Sequence, residues 1–235
     1  MNEIIRKRKS IRKYEQAELG EADLEKVRAK ISELTPLYPD ISYSIEIVKK
    51  TKGLFGFKAP HYLVFFSEEK EGAYENIGFL GQQMDLFFSE SGIGACWLGM
   101  AKPEDKEICS LPFVISMAFG KPAEPLYRSL PEFKRKSLSE ISEGDDERLE
   151  AARLAPSGRN AQNWFFSASD GKIRCYRKKS MIGIMDNLSR IDIGIALCHI
   201  EKESVGFCFL KETGAPERKG FVYVGTVAKM SFISI

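Results

Sequence analysis

Residues 81–98 read GQQMDLFFSESGIGACWL, and residues 193–210 read IGIALCHIEKESVGFCFL. Set side by side, Gly94, Cys96 and Leu98 fall opposite Gly206, Cys208 and Leu210. After each stretch comes a strand of similar pattern, VISMAFGKPA in one case and FVYVGTVAK in the other. The correspondence predicts two diverged copies of one unit, with halves at 1–135 and 136–235. A match this sparse is also within the reach of chance between two helix–strand units. A real duplication makes one chain imitate a dimer, with a cleft between its halves where small-molecule sites concentrate.

Working outward, residues 2–8 predict a short helix ending in a basic cluster. Leu24, Val27, Ile31 and Leu34 sit at helical spacing over 21–34. Ile41–Val48 predicts a strand, and the apolar run His61–Phe66, entered through Pro60, predicts a buried one. Ile77, Leu80, Met84, Phe87 and Phe88 give a broad helix over 74–91, closed by Gly92. Phe113–Phe119 predicts a strand, and 124–146 is a polar surface crossover. A helix over 145–154 with Asp145 or Asp146 as its cap follows. Trp164–Ala168 and Lys172–Tyr176 flank Ser169-Asp170-Gly171, a hairpin signal because Asp-Gly suits a tight primed turn. Helix 191–203 and strands 205–210 and 221–227 complete the pattern.

The chain has 235 residues, enough for a sizeable core, and its 35 Lys and Arg against 33 Asp and Glu leave a net charge of +2. That balance gives no general drive toward nucleic acid or acidic membranes. The start MNEIIRKRKS lacks an apolar region, and charges interrupt every hydrophobic stretch. Five scattered cysteines without a C-x-x-C pair suit a reducing compartment. The expectation is a cytoplasmic protein without nucleic-acid or membrane partners.

Three constellations carry chemistry. In Arg8-Lys9-Ser10-Ile11-Arg12-Lys13-Tyr14, an extended backbone turns positions 8, 10 and 12 to one side. Guanidinium forks, an ammonium and a hydroxyl together complement a phosphate monoester; taken alone those residues read better as a solvated basic terminus, and less well as a nucleic-acid arm, since no aromatic or basic stripe elsewhere supports one. Ala155-Pro156-Ser157-Gly158-Arg159-Asn160-Ala161-Gln162-Asn163-Trp164 offers uncharged donors and acceptors on a rigid turn, as a heteroaromatic ring with carbonyls requires, or is an ordinary polar loop. Lys134-Arg135-Lys136 either completes phosphate neutralisation or is solvated. His61 and His199 lack metal-ligand spacing, Gly92-Ile93-Gly94 lacks the third glycine of a dinucleotide fingerprint, and Ser157 has no hydrolase elbow.

Together the motifs resemble the nitroreductase family. Its R-x-S-x-R-x-[FY] element is matched by Arg8, Ser10, Arg12 and Tyr14, and its A-P-S-x-x-N-x-Q-P-W loop by Ala155, Pro156, Ser157, Asn160, Gln162 and Trp164. Asn163 stands where proline is usual. Its G-[LI]-G-x-x-W-[LI]-G element is matched by Gly92, Ile93, Gly94, Trp97, Leu98 and Gly99, its strand ending G-x-P by Gly120 and Pro122, and its following basic stretch by Lys134–Lys136. The order departs from the usual: the A-P-S loop stands in the second half, whereas 34–41 has none. The chain is therefore similar to a fused subgroup in which one polypeptide mimics the homodimer, keeping one site and abandoning the other.

The resemblance implies an α+β fold, nitroreductase-like, with a central mostly antiparallel sheet flanked by helices and two pseudo-repeated halves. It implies FMN, with NAD(P)H as reductant and ping-pong hydride transfer to a nitroaromatic, quinone or similar small acceptor. Arg8, Lys9, Ser10, Lys134, Arg135 and Lys136 are expected at the phosphate and ribityl chain, and Arg12 near the pyrimidine edge. Pro156, Ser157, Asn160 and Gln162 are expected at the ring from the second half, and Trp97, Leu98 and Gly99 from the first. No protein nucleophile and no metal is expected, and the chain is a monomer or a weak homo-oligomer. A flavin storage or sensing protein without turnover and a basic interaction protein without cofactor remain as other classes.

Overall fold

The computed structural model describes residues 2–53 and 57–229. In chain order the elements are α1 (Glu3–Lys7), α2 (Glu21–Ser32), β1 (Tyr43–Val48), β2 (Thr51–Lys52), β3 (His61–Ser67), α3 (Ala73–Glu90), β4 (Gly94–Leu98), β5 (Lys102–Pro103) and β6 (Phe113–Gly120). The second half continues with α4 (Leu138–Ile141), β7 (Ser142–Glu143), α5 (Leu149–Leu154), β8 (Trp164–Ser169), β9 (Lys172–Lys178), α6 (Gly183–Lys202), β10 (Phe207–Leu210) and β11 (Phe221–Lys229).

The fold is α+β, and its antiparallel structure is divided between two main sheets, one for each half. The first has the order β1-β3-β6-β4 and the second β10-β11-β9-β8-β7, with only the short β7 parallel to its neighbour. Read from the other edge, the first sheet becomes β4-β6-β3-β1, the topology of β10-β11-β9-β8. In both halves the long helix lies between the second and third of those four strands in sequence. The halves are therefore repeats in connectivity.

Helices α3 and α6 pack against each other, α3 lying on the first sheet and α6 on the second. Their crossing is set by a reciprocal pair of glycines. A Cβ on Gly78 would lie 2.1 Å from the carbonyl oxygen of Ile191, and one on Gly194 would lie 2.0 Å from that of Glu75. Each helix thus presses its backbone where the other has no side chain. This pairing matches Glu75 and Gly78 with Ile191 and Gly194, about one helical turn out of step with the strand-based alignment. One continuous core runs through both halves, from Leu63, Phe65 and Met117 to Trp164, Phe166 and Ile173. The opposite face of the first sheet, bearing Tyr62, Leu98 and Ala118, is covered by Ile11 and Tyr14 of the N-terminal segment.

Two helix starts differ from the sequence reading by a turn or more, and the crossover 124–146 carries the short α4 and β7, which that reading did not expect. Helix α5 begins at Leu149, after a turn that Asp146 closes as the sequence led one to expect: its Oδ1 accepts the Arg148 N–H at 3.0 Å, and its carboxylate also grips the Arg148 side chain at Nε (2.8 Å) and Nη2 (2.7 Å). Helix α6 begins at Gly183, about two turns before the predicted start, and its first turn is anchored from another strand. Asp186 receives hydrogen bonds from Arg177 of β9 at 2.7 Å, Ser180 N–H at 3.0 Å and Arg190 at 3.1 Å. Burial opposes its charge, yet those donors hold its pKa down at about 2. The hairpin forms as expected, with Asp170 and Gly171 at φ 54° and 71°. No described helix is long and apolar enough to cross a membrane.

Candidate functional site

The segment after α1 leaves the helix at Arg8 and runs extended beside β4, with Ile11 N–H donating to Ala95 O at 2.9 Å. Extension separates its side chains by face. Ile11 is buried under the sheet, whereas Ser10 and Arg12 open into a groove between the halves. Facing them from the second half is the loop 155–164. Its residues Arg159, Asn160 and Gln162 all have positive φ (55°, 56° and 46°), a left-handed conformation costly for side chains bearing a Cβ.

The crossover 134–136 holds that loop in place. Lys136 Nζ donates to Ala161 O (2.8 Å) and Gln162 O (3.2 Å), and its N–H donates to Gln162 Oε1 (2.7 Å). Asn160 Nδ2 donates to Lys134 O at 2.6 Å and its Oδ1 accepts from Arg135. Gln162 is buried, with Nε2 on Arg153 O (3.2 Å) and its N–H on Ser157 Oγ (3.0 Å). The strained backbone is thereby over-determined, as strained functional loops are.

The groove has two connected chambers. One, of about 410 Å³, is lined by Lys9, Arg12, Arg128, Arg135 and Arg159, with Glu132 the one carboxylate, beside Ser10, Ser157 and Asn160. Its cations are crowded. Burial and the neighbouring Arg8 lower the pKa of Arg128 to about 10, and burial with Arg128, Arg8 and Arg153 lowers that of Arg135 to about 9. Arg135 Nε is buried without a hydrogen-bond partner. Glu132 is turned to its own turn, accepting from Ser129 N–H (2.7 Å) and Oγ (2.8 Å). Lys9 is already paired with Glu124 at 3.2 Å, but none of the four arginines has an ion pair among the described residues, and together they suit an anion.

The second chamber, about 390 Å³, is mostly apolar and is walled by Trp97, Ile115, Leu188, Ile191 and Ile195, with Gly99, Met100, Ile184 and Met185 also on its lining. Ser10, Arg12, Pro156, Ser157 and Arg159 line both chambers, so they join into one groove. Both volumes lie in the range of small-molecule sites. Trp97 is held by Gln82, whose Oε1 accepts from its indole N–H at 3.3 Å, and it stacks on Phe65 at 5.8 Å. Gln82 Nε2 continues to Asp85 (3.0 Å) and to the buried His199 (3.1 Å). Burial drives the His199 pKa down to about 3, so that ring is neutral.

The groove brings together Lys9, Ser10, Arg12, Trp97, Gly99, Arg135, Pro156, Ser157 and Asn160. Other expected residues stand apart from it. Arg8 is 1% exposed and lies behind Ser10, donating to its Oγ at 3.2 Å while pairing with the buried Asp85 at 2.8 Å. Burial pushes the Asp85 carboxyl up, against the pull of Arg8. Leu98 points to the opposite sheet face with Tyr14 and Tyr62. Lys134 is exposed away from the lining, while the side chains of Lys136 and Gln162 are used to brace the loop. Arg128, Arg159 and Asp192 were missed. Arg159 lay inside the quoted loop, and Asp192 is a lone acid amid Leu188, Ile191 and Ile195 on an otherwise apolar helix face.

Asp192 lines the apolar chamber, 4% exposed, and its Oδ1 accepts the Gly158 N–H at 2.8 Å. The repeat has a counterpart: Asn76 of α3 accepts the Tyr38 N–H at 3.0 Å and donates back to Tyr38 O at 3.5 Å. Where the first place has Gly158 beside the apolar chamber, the second has the Tyr38 ring, packed on Gly72 and edge-on to Phe209 at 5.7 Å, beside a smaller cavity of about 270 Å³ lined by Glu75, Arg177, Arg190 and Lys211.

A family model described as "Putative TM nitroreductase" matches residues 1–204. Among solved structures, one described as a "putative nitroreductase" from Thermotoga maritima is 21% identical over 97% of this chain and 92% of its own, with a TM-score of 0.66. A nitroreductase family protein from Clostridium difficile 630 is 18% identical over 60% of this chain and 96% of its own, with a TM-score of 0.49. An FMN-dependent nitroreductase from Clostridium difficile R20291 is 18% identical over 58% and 98%, with a TM-score of 0.44. The Thermotoga structure shares the fold. No curated protein matches the chain.

Proposed function

The chain belongs to the nitroreductase family, and on that premise we propose that it is an FMN-dependent oxidoreductase passing hydride from NAD(P)H to a small organic acceptor such as a nitroaromatic or quinone. The observation that carries this reading is the pairing of an uncompensated arginine chamber with an apolar one in a single groove. The crowded guanidiniums and the orphaned Arg135 Nε fit a phosphate, and the neighbouring chamber fits a flat ring. In this reading the chain divides at 135/136 and is a monomeric internal pseudo-dimer.

Lys9, Ser10, Arg128 and Arg135 hold the phosphate, and Arg12, at the junction of the chambers, puts positive charge beside the ring. A cation there stabilises negative charge gained on reduction, the more so in a dry site. Pro156, Ser157 and Gly99, on the lining of the apolar chamber, would hold the ring. Leu188, Ile191 and Ile195 exclude water from it. Flavin, when bound, supplies a two-electron carrier that accepts hydride from one substrate and returns it to another. The exposed Met100, Ile184 and Met185 border the same chamber and leave one face where reductant and acceptor take turns, hence ping-pong kinetics.

The test is the visible spectrum of purified protein after FMN addition and desalting, followed by NADPH oxidation with a benzoquinone. About one retained FMN per chain, bleached by NADPH and restored by quinone, is expected. Absence of retained flavin refutes the reading; retained flavin that no reduced nicotinamide bleaches refutes the enzyme and leaves a flavin-binding protein.

A further inference from the structure

Asp192 is a buried acid in the apolar chamber with no ion pair among the described residues, and the reading above assigns it no task. Its one hydrogen bond is from the Gly158 N–H. The second place in the repeat shows that an amide performs that structural duty, since Asn76 accepts the Tyr38 N–H in the same way. The carboxyl at 192 is therefore surplus to holding the loop. It differs from the amide in one chemical respect, a proton it can give away.

The surroundings keep that proton in place. Groups sharing the chamber are Arg12 and Ser10 of the N-terminal segment, Cys96 of β4, and Ser157 and Arg159 of the loop. On the elements packed against α6, charges are engaged elsewhere. Glu75 of α3 lies 3.9 Å from Arg177 and 4.0 Å from Arg190, and Asp85 faces Arg8. Arg177 of β9 holds Asp186 at 2.7 Å, Glu150 and Arg153 of α5 pair with each other, and β8 has no charged residue. With burial dominant and only one donor opposing it, the Asp192 pKa rises to about 7.

Building on the proposed oxidoreductase reading, we infer that Asp192 is the proton-holding residue of the site and protonates the acceptor as it is reduced. The dihydronicotinamide is oxidised and the acceptor gains its hydride. The acceptor also needs one proton to end neutral. The Asp192 O–H bond breaks with its electron pair left on the carboxylate, an O–H bond forms on the acceptor oxygen, and water restores the proton to Asp192.

The experiment compares wild type with Asp192→Asn, the residue type found at position 76. Stopped-flow measurement on FMN-loaded protein is expected to show bleaching by NADPH little changed in the variant. Reoxidation by benzoquinone is expected to slow about 10²-fold or more, as loss of a positioned acid does. In wild type kcat/KM for quinone declines above pH of about 7; in the variant it is low and flat. Infrared difference spectra of wild type, with or without flavin, are expected to show a carboxylic-acid C=O band that titrates near 7 and is missing from Asp192→Asn. Wild-type reoxidation with an unchanged pH profile in the variant overturns the role, as does a carboxylate at every pH between 5 and 9. Protein that binds no FMN overturns the functional reading and the proton transfer with it, even if the infrared band titrates as expected.

Discussion

Replacing Gly194 by alanine puts a methyl carbon 2.0 Å from the carbonyl oxygen of Glu75. Ordinary contact needs about 3.5 Å, so the helices must part by about 1.5 Å at the crossing. Both obstructing groups are backbone, and neither can turn aside. A gap of that size forfeits a large share of the dispersion energy along the α3–α6 seam, and because two backbones cannot yield, the overpacking falls at the top of the usual range, about 3 kcal/mol. Alanine's better helix propensity returns roughly 1 kcal/mol, leaving a net loss of about 2 kcal/mol. Gly78→Ala, at 2.1 Å from Ile191 O, should cost a similar amount. Once one methyl has forced the helices apart the other has room, so the double variant should cost at least about 1 kcal/mol less than the sum. Urea unfolding followed by tryptophan fluorescence measures all three. Neutral single variants, or strictly additive costs, would refute the reciprocal-glycine account of the crossing.

Arg8→Met leaves the buried Asp85 uncompensated and should destabilise by about 3–5 kcal/mol, with Arg8→Met/Asp85→Leu recovering much of it; an Arg8→Met variant of wild-type stability contradicts the buried placement. Arg128→Ala and Arg135→Ala should each weaken FMN binding at least tenfold while leaving riboflavin, which lacks the phosphate, little affected; equal losses for both ligands would place the phosphate elsewhere. Arg12→Ala should lower flavin content or slow its reduction, read from the visible spectrum and stopped-flow bleaching. The native state keeps the Asp192 proton up to about pH 7, whereas the unfolded chain releases it near 4. Between those values the unfolded state binds fewer protons, so wild-type stability falls as pH rises, by an amount on the order of a few kcal/mol. Asp192→Asn should therefore gain on wild type from about pH 4 to 7 and hold that gain above; a pH-independent difference excludes the raised pKa.

Local signals were the readable part of this chain. Asp170-Gly171 gave its turn, the apolar run 61–66 its buried strand, and Gly92, at φ 76°, its helix end. Those features depend on neighbours in sequence. Features that depend on partners far along the chain were misread. The first turns of α6 look too polar for a core helix, yet Arg177 from β9 anchors them. Within the basic motifs, composition cannot tell a cation facing a ligand from one facing a buried carboxylate, so Arg8 was grouped with Arg12. Likewise Lys136 and Gln162 carry the right chemistry for ligand binding and spend it on each other. Arg128 stood outside the motif in the same crossover, and only folding brings it to Arg135.

At one place in the repeat the Tyr38 ring stands beside a small charged cavity, while at the other Gly158 borders the larger apolar chamber. In a homodimer each substitution occurs twice, once at each symmetric position, so a residue that plugs one pocket plugs both. A single chain encoding both halves escapes that constraint. Position 38 is free to carry an aromatic ring and position 76 a neutral amide, while 158 and 192 change independently. Joining the copies thus gives each half its own mutational history, and one half can specialise in support while the other keeps the chemistry.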